Sequence, residues 1–164
     1  MAFQKLSSEI LREHKGKSFP GISTAFIYHD GKGNILLAKR SENARDENGR
    51  WDAGGGGLKF GQSIEENLLR EIKEEYNFTP KSIEFLGYSD AFRTGSDGVP
   101  THWLALYFAA LVDPDEFNIN EPDMVSDAGW FTLDTLPKPM HSMFPAFMEK
   151  HGDALRKSMN KSVK

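Results

Sequence analysis

Four consecutive glycines, Gly54 to Gly57, lead into a stretch where five glutamates, Glu65, Glu66, Glu71, Glu74 and Glu75, fall within eleven positions. A pliant backbone that can lie against phosphates, followed by a helix rich in carboxylates, suits a protein that holds hard divalent cations beside a polyphosphate. At about 3.6 residues per turn, Glu71, Glu74 and Glu75 emerge on one helical face. Like charges at those spacings cost roughly 0.2–0.5 kcal/mol per pair, a penalty that a bound cation would reverse. The pattern points to an enzyme acting on phosphoanhydrides.

The ends of this helix are marked. Ser63 with Glu66 three residues on makes a capping box, in which hydroxyl and carboxylate each satisfy a backbone N–H of the first turn. Ile64, Leu68 and Ile72, flanked by Leu69 and Tyr76, form an apolar stripe for packing on a sheet. Asn77 tolerates the left-handed conformation used just past a helix end, and Pro80 cannot continue the helix.

The segment 56–78, GGLKFGQSIEENLLREIKEEYNF, resembles the Nudix box of the MutT-like Nudix hydrolases. That pattern is Gly, five residues, Glu, seven residues, then Arg-Glu-apolar-any-Glu-Glu-any-Gly-apolar. Gly56, Arg70, Glu71, Ile72, Glu74, Glu75 and Phe78 match it. Gln62 stands where the family usually has Glu, keeping an acceptor and losing a charge, and Asn77 stands where it usually has Gly. Gly54 replaces the proline that commonly precedes the glycine pair. Trp51, the strand-like segment 35–40 and Gly129-Trp130-Phe131 fall where the family has comparable segments.

The resemblance implies a site residue by residue. Glu74 and Glu75 would ligate Mg2+, or Mn2+ in its place, with the carbonyl of Gly55 as a further oxygen. Glu71 would be a metal ligand or the base that activates water, and Arg70 would orient the carboxylates. A distant acidic residue often completes such a site, and Glu121 is the candidate chosen from the acidic stretch 121–127. Arg40, Gly56 and Arg93 are the candidates for holding substrate. Arg40, which ends the sequence ILLAKR, reads equally as a phosphate ligand and as a strand-end cation facing water.

The chemistry suits these residue types. Hydrolysing a diphosphate linkage requires neutralised phosphate oxygens and a water of lowered pKa, and divalent cations held by carboxylates and carbonyls supply both. The chain has no cysteine, and its five histidines show no His-x-x-x-His spacing. His102 alone, at the start of a strand of large side chains, is placed to reach a substrate.

At 164 residues the chain suits one core, with a single domain over 1–155 and a basic tail over 156–164 expected to fray. The formal net charge of -4 argues against an extended nucleic-acid surface, so the expected partner is a small nucleotide, and a homodimer is left open. The longest apolar run, 103–112, has ten residues, about half of what a spanning helix needs. With no signal-like apolar core near the N-terminus, the expectation is a soluble, cytoplasmic protein without membrane partners.

Periodicity predicts a helix over 7–13 and strands over 22–29 and 35–40, joined as a hairpin through 30–34. The polar segment 41–50 is expected to be a loop bordering the site. Beyond the acidic helix come strands over 82–89 and 102–112 joined by 90–101, a shorter strand over 128–132 and a helix over 144–155. The fold class is α/β, the Nudix fold, a mixed β-sheet in an α/β/α sandwich, as the resemblance also implies.

Within the implied activity, the favoured substrate is a nucleoside triphosphate, oxidised or non-standard ones included, cut to the monophosphate and pyrophosphate. The segment 57–63 is similar to the loop of many triphosphate pyrophosphohydrolases. A nucleotide sugar or ADP-ribose is the close alternative. A non-catalytic nucleotide- or protein-binding module is the alternative of another class, with Gln62 in its favour. An RNA-processing role would need a basic track, and the sequence offers only scattered cations such as Arg45 and Arg50.

Overall fold

Residues 26–28 alternate between two cores, so the strand that carries them must be covered on both faces. Phe26 and Tyr28 point to one side and Ile27 to the other, all of them buried. This strand, β1 (Gly21–His29), is the centre of a seven-stranded mixed sheet in the computed structural model, which describes residues 7–95 and 97–161. The other strands are β2 (Asn34–Arg40), β3 (Trp51–Asp52), β4 (Gly54–Gly57), β5 (Ser82–Thr94), β6 (Pro100–Leu111) and β7 (Val125–Thr132). Along one edge β1 runs parallel to β6, from Gly21 opposite Trp103 to His29 opposite Leu111. Its other edge is divided between β2, at His29 opposite Ile35, and the antiparallel β4.

Two helices cover the sheet. The helix α2 (Ile64–Tyr76) lays Leu68, Ile72 and Tyr76 on Phe26, Tyr28, Leu36 and Phe108. On the opposite face α3 (Phe144–Met159) lays Phe144, Phe147, Leu155 and Met159 on Ile27, Ile35, Leu37 and Tyr107. Each fully buried side chain such as Ile72 or Leu155 contributes about 1.5–3 kcal/mol, enough to fix both helices on their faces. The result is the α/β/α sandwich expected from the sequence. A short α1 (Ser8–His14), capped by Ser7, buries no residue. No helix among the described residues is long and apolar enough to cross a membrane.

Several expectations change. The glycine run, expected as pliant backbone, is the strand β4, with Gly54 to Gly57 opposite Phe26 to Ser23. The hairpin joining the first two strands is paired only beside its turn, because the long partner of β2 is β7, from Asn34 opposite Thr132 to Arg40 opposite Val125. β5 and β6 reach past the expected ends, with Arg93 opposite Thr101 and Thr94 opposite Pro100. The last helix continues beyond Leu155 to Met159, since Ser158 and Met159 are themselves buried, so the tail expected to fray from Arg156 is helical for its first residues. Residues 162–164 of that tail lie outside the described residues.

Candidate active site

Two caps set the phase of α2. Ser63 Oγ accepts from the Glu66 N–H at 3.1 Å while Glu66 Oε2 accepts from the Ser63 N–H at 2.7 Å. At the other end Asn77 takes φ 62° and its N–H reaches the Lys73 carbonyl. Between the caps the apolar stripe faces the core, which brings Glu71 and Glu75 against β4.

The glycines make room for that approach. A Cβ on Gly56 would stand 2.2 Å from the Glu71 carboxyl carbon. One on Gly54 would stand 2.2 Å from Phe26 Cε2 and 2.6 Å from Glu75 Oε2. None of the four glycines has a positive φ, so their composition serves close contact between strand and carboxylates rather than an unusual turn.

Glu75 has both oxygens held. Oε1 accepts from the Gly55 N–H at 3.2 Å and Oε2 accepts from the Tyr28 hydroxyl at 3.2 Å. Burial nonetheless pushes its pKa up to about 8, with the charges of Glu71 and Asp52 adding to the rise and the Gly55 and Tyr28 bonds opposing it. Burial and the nearby Glu75 carboxylate push the Tyr28 phenol well above its ordinary value, so it stays a donor.

Arg70 spans two other expected ligands. Its Nη2 donates to Glu71 at 2.7 Å and its Nη1 to Glu74 at 2.6 Å. Nη2 also donates to Asn67 Oδ1 at 2.7 Å, and the buried Asn67 donates to Thr24 Oγ1 at 2.9 Å, tying this cluster to β1. Among the described residues, Arg70 Nε and Gln62 Oε1 are buried without a hydrogen-bond partner. The amide at position 62 thus keeps its acceptor oxygen without a donor to use it.

A cavity of about 190 Å³ opens beside Glu75, lined by Arg40, Asp52, Gly55 and Glu121 with Ala38 and Met124. It brings together Arg40, Gly55, Glu75 and Glu121, four of the residues chosen from the sequence. Of the acidic residues in 121–127, Glu121 is the one that lines it. Gly56 lies against Glu71 and gives its carbonyl to Thr24 Oγ1 at 3.4 Å. Glu74 is half exposed, outside the lining. Arg93 also stands apart, with Nη1 on Asp46 at 3.2 Å and Nη2 on Glu47 at 2.9 Å. His102 is engaged with Asp90 at 3.0 Å and stacked on Phe92.

Three residues of this region were not singled out from the sequence. Tyr28 reads as core, yet a phenol in an otherwise apolar strand needs a polar partner, and that was a usable signal. Asp52 reaches the cavity because β3 pairs with β2, Asp52 opposite Ala38, and burial raises its carboxyl above the ordinary range against the lowering effect of His141 and Arg40. Asp46 has no local signal at all.

The donor set fits a hard divalent cation. Glu71, Glu74, Glu75, Glu121 and the Gly55 carbonyl all offer oxygen. Among the described residues no three carboxylate, imidazole or thiol side chains already converge on one metal position, since Glu71 and Glu74 face Arg70. Burial is the main cause of the raised Glu75 pKa and the charges of Glu71 and Asp52 add to it, so a cation at this position would offset both and favour the carboxylate.

Fold and site together make a sandwich in which a carboxylate helix is seated on a glycine strand beside a polar cavity. A family model described as NUDIX domain matches residues 20–150, and the chain belongs to the Nudix hydrolase family. The NAD-capped RNA hydrolase NudC of Pseudomonas entomophila (strain L48) is 31% identical over 122 residues, 74% of this chain and 40% of that relative. The NAD-capped RNA hydrolase NudC of Vibrio atlanticus (strain LGP32) is 29% identical over 148 residues, 88% of this chain and 49% of that relative. The chain thus spans less than half the length of these curated relatives. Among solved structures, the MutT NUDIX hydrolase from Burkholderia pseudomallei matches with a TM-score of 0.70 at 29% identity, covering 80% of this chain and 98% of that one. The NUDIX domain of Shewanella oneidensis NrtR, complexed with ADP ribose, matches with a TM-score of 0.63 at 22% identity, covering 92% and 99%, a likeness of fold.

Proposed function

We propose that this chain hydrolyses the diphosphate bridge of a nucleoside diphosphate linked to a second moiety, using Mg2+ or Mn2+ held by Glu71, Glu74, Glu75, Glu121 and the Gly55 carbonyl. The observation that carries this reading is Glu75, a carboxyl raised to about 8 and gripped by Gly55 and Tyr28, beside a cavity that Glu121 and Arg40 also line. A bound divalent cation supplies charge neutralisation on the phosphate oxygens and lowers the pKa of a water.

The chain's own residues do the rest. Gly55 and Tyr28 fix the orientation of Glu75, and Arg70 fixes Glu71 at 2.7 Å. So held, Glu71 accepts the proton of the attacking water as its oxygen bonds to phosphorus. The P–O bond of the bridge breaks, and the second phosphate leaves with that electron pair. Arg70 bonds one oxygen of each carboxylate, Glu71 Oε1 and Glu74 Oε2, and would steady both while their other oxygens turn to the cation.

Two observations favour a diphosphate-linked substrate over the triphosphate first favoured from the sequence. Arg40 and Arg93, two of the residues chosen for holding substrate, already face Asp46, Asp52 and Glu47, so neither guanidinium is spare for a third phosphate. The curated relatives are named for NAD-capped RNA, and NAD is two nucleotides joined by a diphosphate. The triphosphate reading is the second one, supported by the segment 57–63 and by the likeness to a MutT structure. A turnover screen with Mg2+ against NAD, ADP-ribose, nucleotide sugars, NAD-capped RNA and triphosphates, with products identified by mass, tests the proposal. Cleavage of a diphosphate bridge faster than any triphosphate is expected. Absence of turnover across the panel contradicts it.

A further inference from the structure

The loop 41–50 carries a carboxylate where a phosphate would be welcome. Asp46 Oδ1 accepts from Arg40 Nη2 at 2.8 Å, and Asp46 Oδ2 accepts from Arg93 Nη1 at 3.2 Å. One carboxylate therefore bridges two guanidiniums that come from different strands, β2 and β5. The bridge is only about a quarter exposed on each of its three side chains, so solvent weakens it less than an open surface pair. The remaining charge is matched as well: Arg40 Nη1 lies 3.6 Å from Asp52, and Arg93 Nη2 lies 2.9 Å from Glu47. Glu47 is itself fixed by Ser142, whose hydroxyl donates at 2.6 Å, and by Arg50 at 3.2 Å.

Arg40 lines the cavity beside Glu75, so the charge state of this bridge is felt there. A planar pair of guanidiniums is a strong receptor for a terminal phosphate, which carries up to two charges. The inner phosphates of a linked diphosphate carry one charge each. We propose that Asp46 is a specificity-determining residue: by occupying the space between Arg40 and Arg93 it withholds both from a terminal phosphate and selects diphosphate-linked substrates against triphosphates. This inference rests on the hydrolase reading for its consequence in turnover, and on the bridge alone for its consequence in anion binding.

Asp46→Asn tests it. The loop stays pinned in this variant, because Arg40 Nε donates to the Asp46 main-chain carbonyl at 2.8 Å, and the new amide oxygen can still accept from Arg40. Two quantities are measured in wild type and variant: the affinity for inorganic tripolyphosphate relative to P1,P2-dimethyl pyrophosphate, whose two phosphates are both esterified, at fixed free Mg2+ by calorimetry, and the ratio of kcat/KM for triphosphates to that for diphosphate-linked nucleotides. Both ratios are expected to rise about tenfold, the effect of one unmasked charge at a recessed site. Asp46→Ser, which also removes the carboxylate, is expected to move them the same way, and adding Arg93→Ala to Asp46→Asn to reverse the gain. Unchanged ratios, a fall of both rates in proportion, or a gain that survives Arg93→Ala overturns the inference. Should wild type turn over no nucleotide, the hydrolase reading fails while the tripolyphosphate ratio still decides the role of Asp46.

Discussion

The Tyr28 hydroxyl donates to Glu75 Oε2 at 3.2 Å, so the central strand and the acidic helix share a hydrogen bond at the site. Tyr28→Phe removes that donor and keeps the ring contacts with Phe26, Tyr76 and Phe78. Mn2+ affinity, read by calorimetry, is expected to fall about tenfold as Glu75 loses its orientation, with the fold retained. Affinity equal to wild type would count against Tyr28 as a positioning residue.

Glu75 gives stability a pH dependence with a definite sign. Its carboxyl titrates near about 8 in the folded chain against an ordinary 4.5, so between those values the folded state keeps a proton that the unfolded state has released. The Glu75 contribution to stability of the metal-free protein is thus full below about 4.5, declines as pH rises and levels off above about 8. Glu75→Gln cannot ionise. Its melting temperature should match wild type near pH 4.5 and exceed it above pH 8, and a gap that does not widen with pH contradicts this.

The two glycines that touch carboxylates should respond differently to an added methyl. In Gly54→Ala the new Cβ meets the fully buried ring of Phe26, which costs about 1–3 kcal/mol in denaturant unfolding. In Gly56→Ala its nearest neighbours are the carboxyl atoms of Glu71, so turnover should fall far more than stability. Equal losses of stability in both variants would show that the glycines serve the fold alone.

Asn77 holds φ 62° as the C-cap of α2, at a position where the family pattern has Gly. Asn77→Gly should change unfolding free energy by no more than about 0.5 kcal/mol, whereas Asn77→Ala should cost about 1 kcal/mol for a left-handed alanine. Chemical denaturation of the three proteins checks the order.

What the sequence made legible was local. Ser63 with Glu66, the stripe of Leu68 and Ile72, and Asn77 define α2 by short-range chemistry, and the helix begins and ends where those residues place it. The spacing of Glu71, Glu74 and Glu75 likewise follows from helix geometry alone. What the sequence withheld is long-range. The strand character of Gly54 to Gly57 comes from pairing with β1, and glycines carry no strand propensity to announce it. Arg93, chosen from the sequence for substrate, meets Asp46 and Glu47, which the fold brings to it from 47 and 46 positions away. Asp52 enters the cavity by strand pairing, and Glu121 by a loop that only the folded sheet places beside Glu75.

The most direct measurement is kcat/KM of wild type and Glu75→Gln with Mg2+ on the diphosphate-linked nucleotide that turns over best, repeated with excess chelator. A loss of roughly a hundredfold in the variant, and abolition of wild-type turnover by chelator, are expected. Wild-type rates in Glu75→Gln, or turnover that persists in chelator, would contradict a cation site built on α2 and β4.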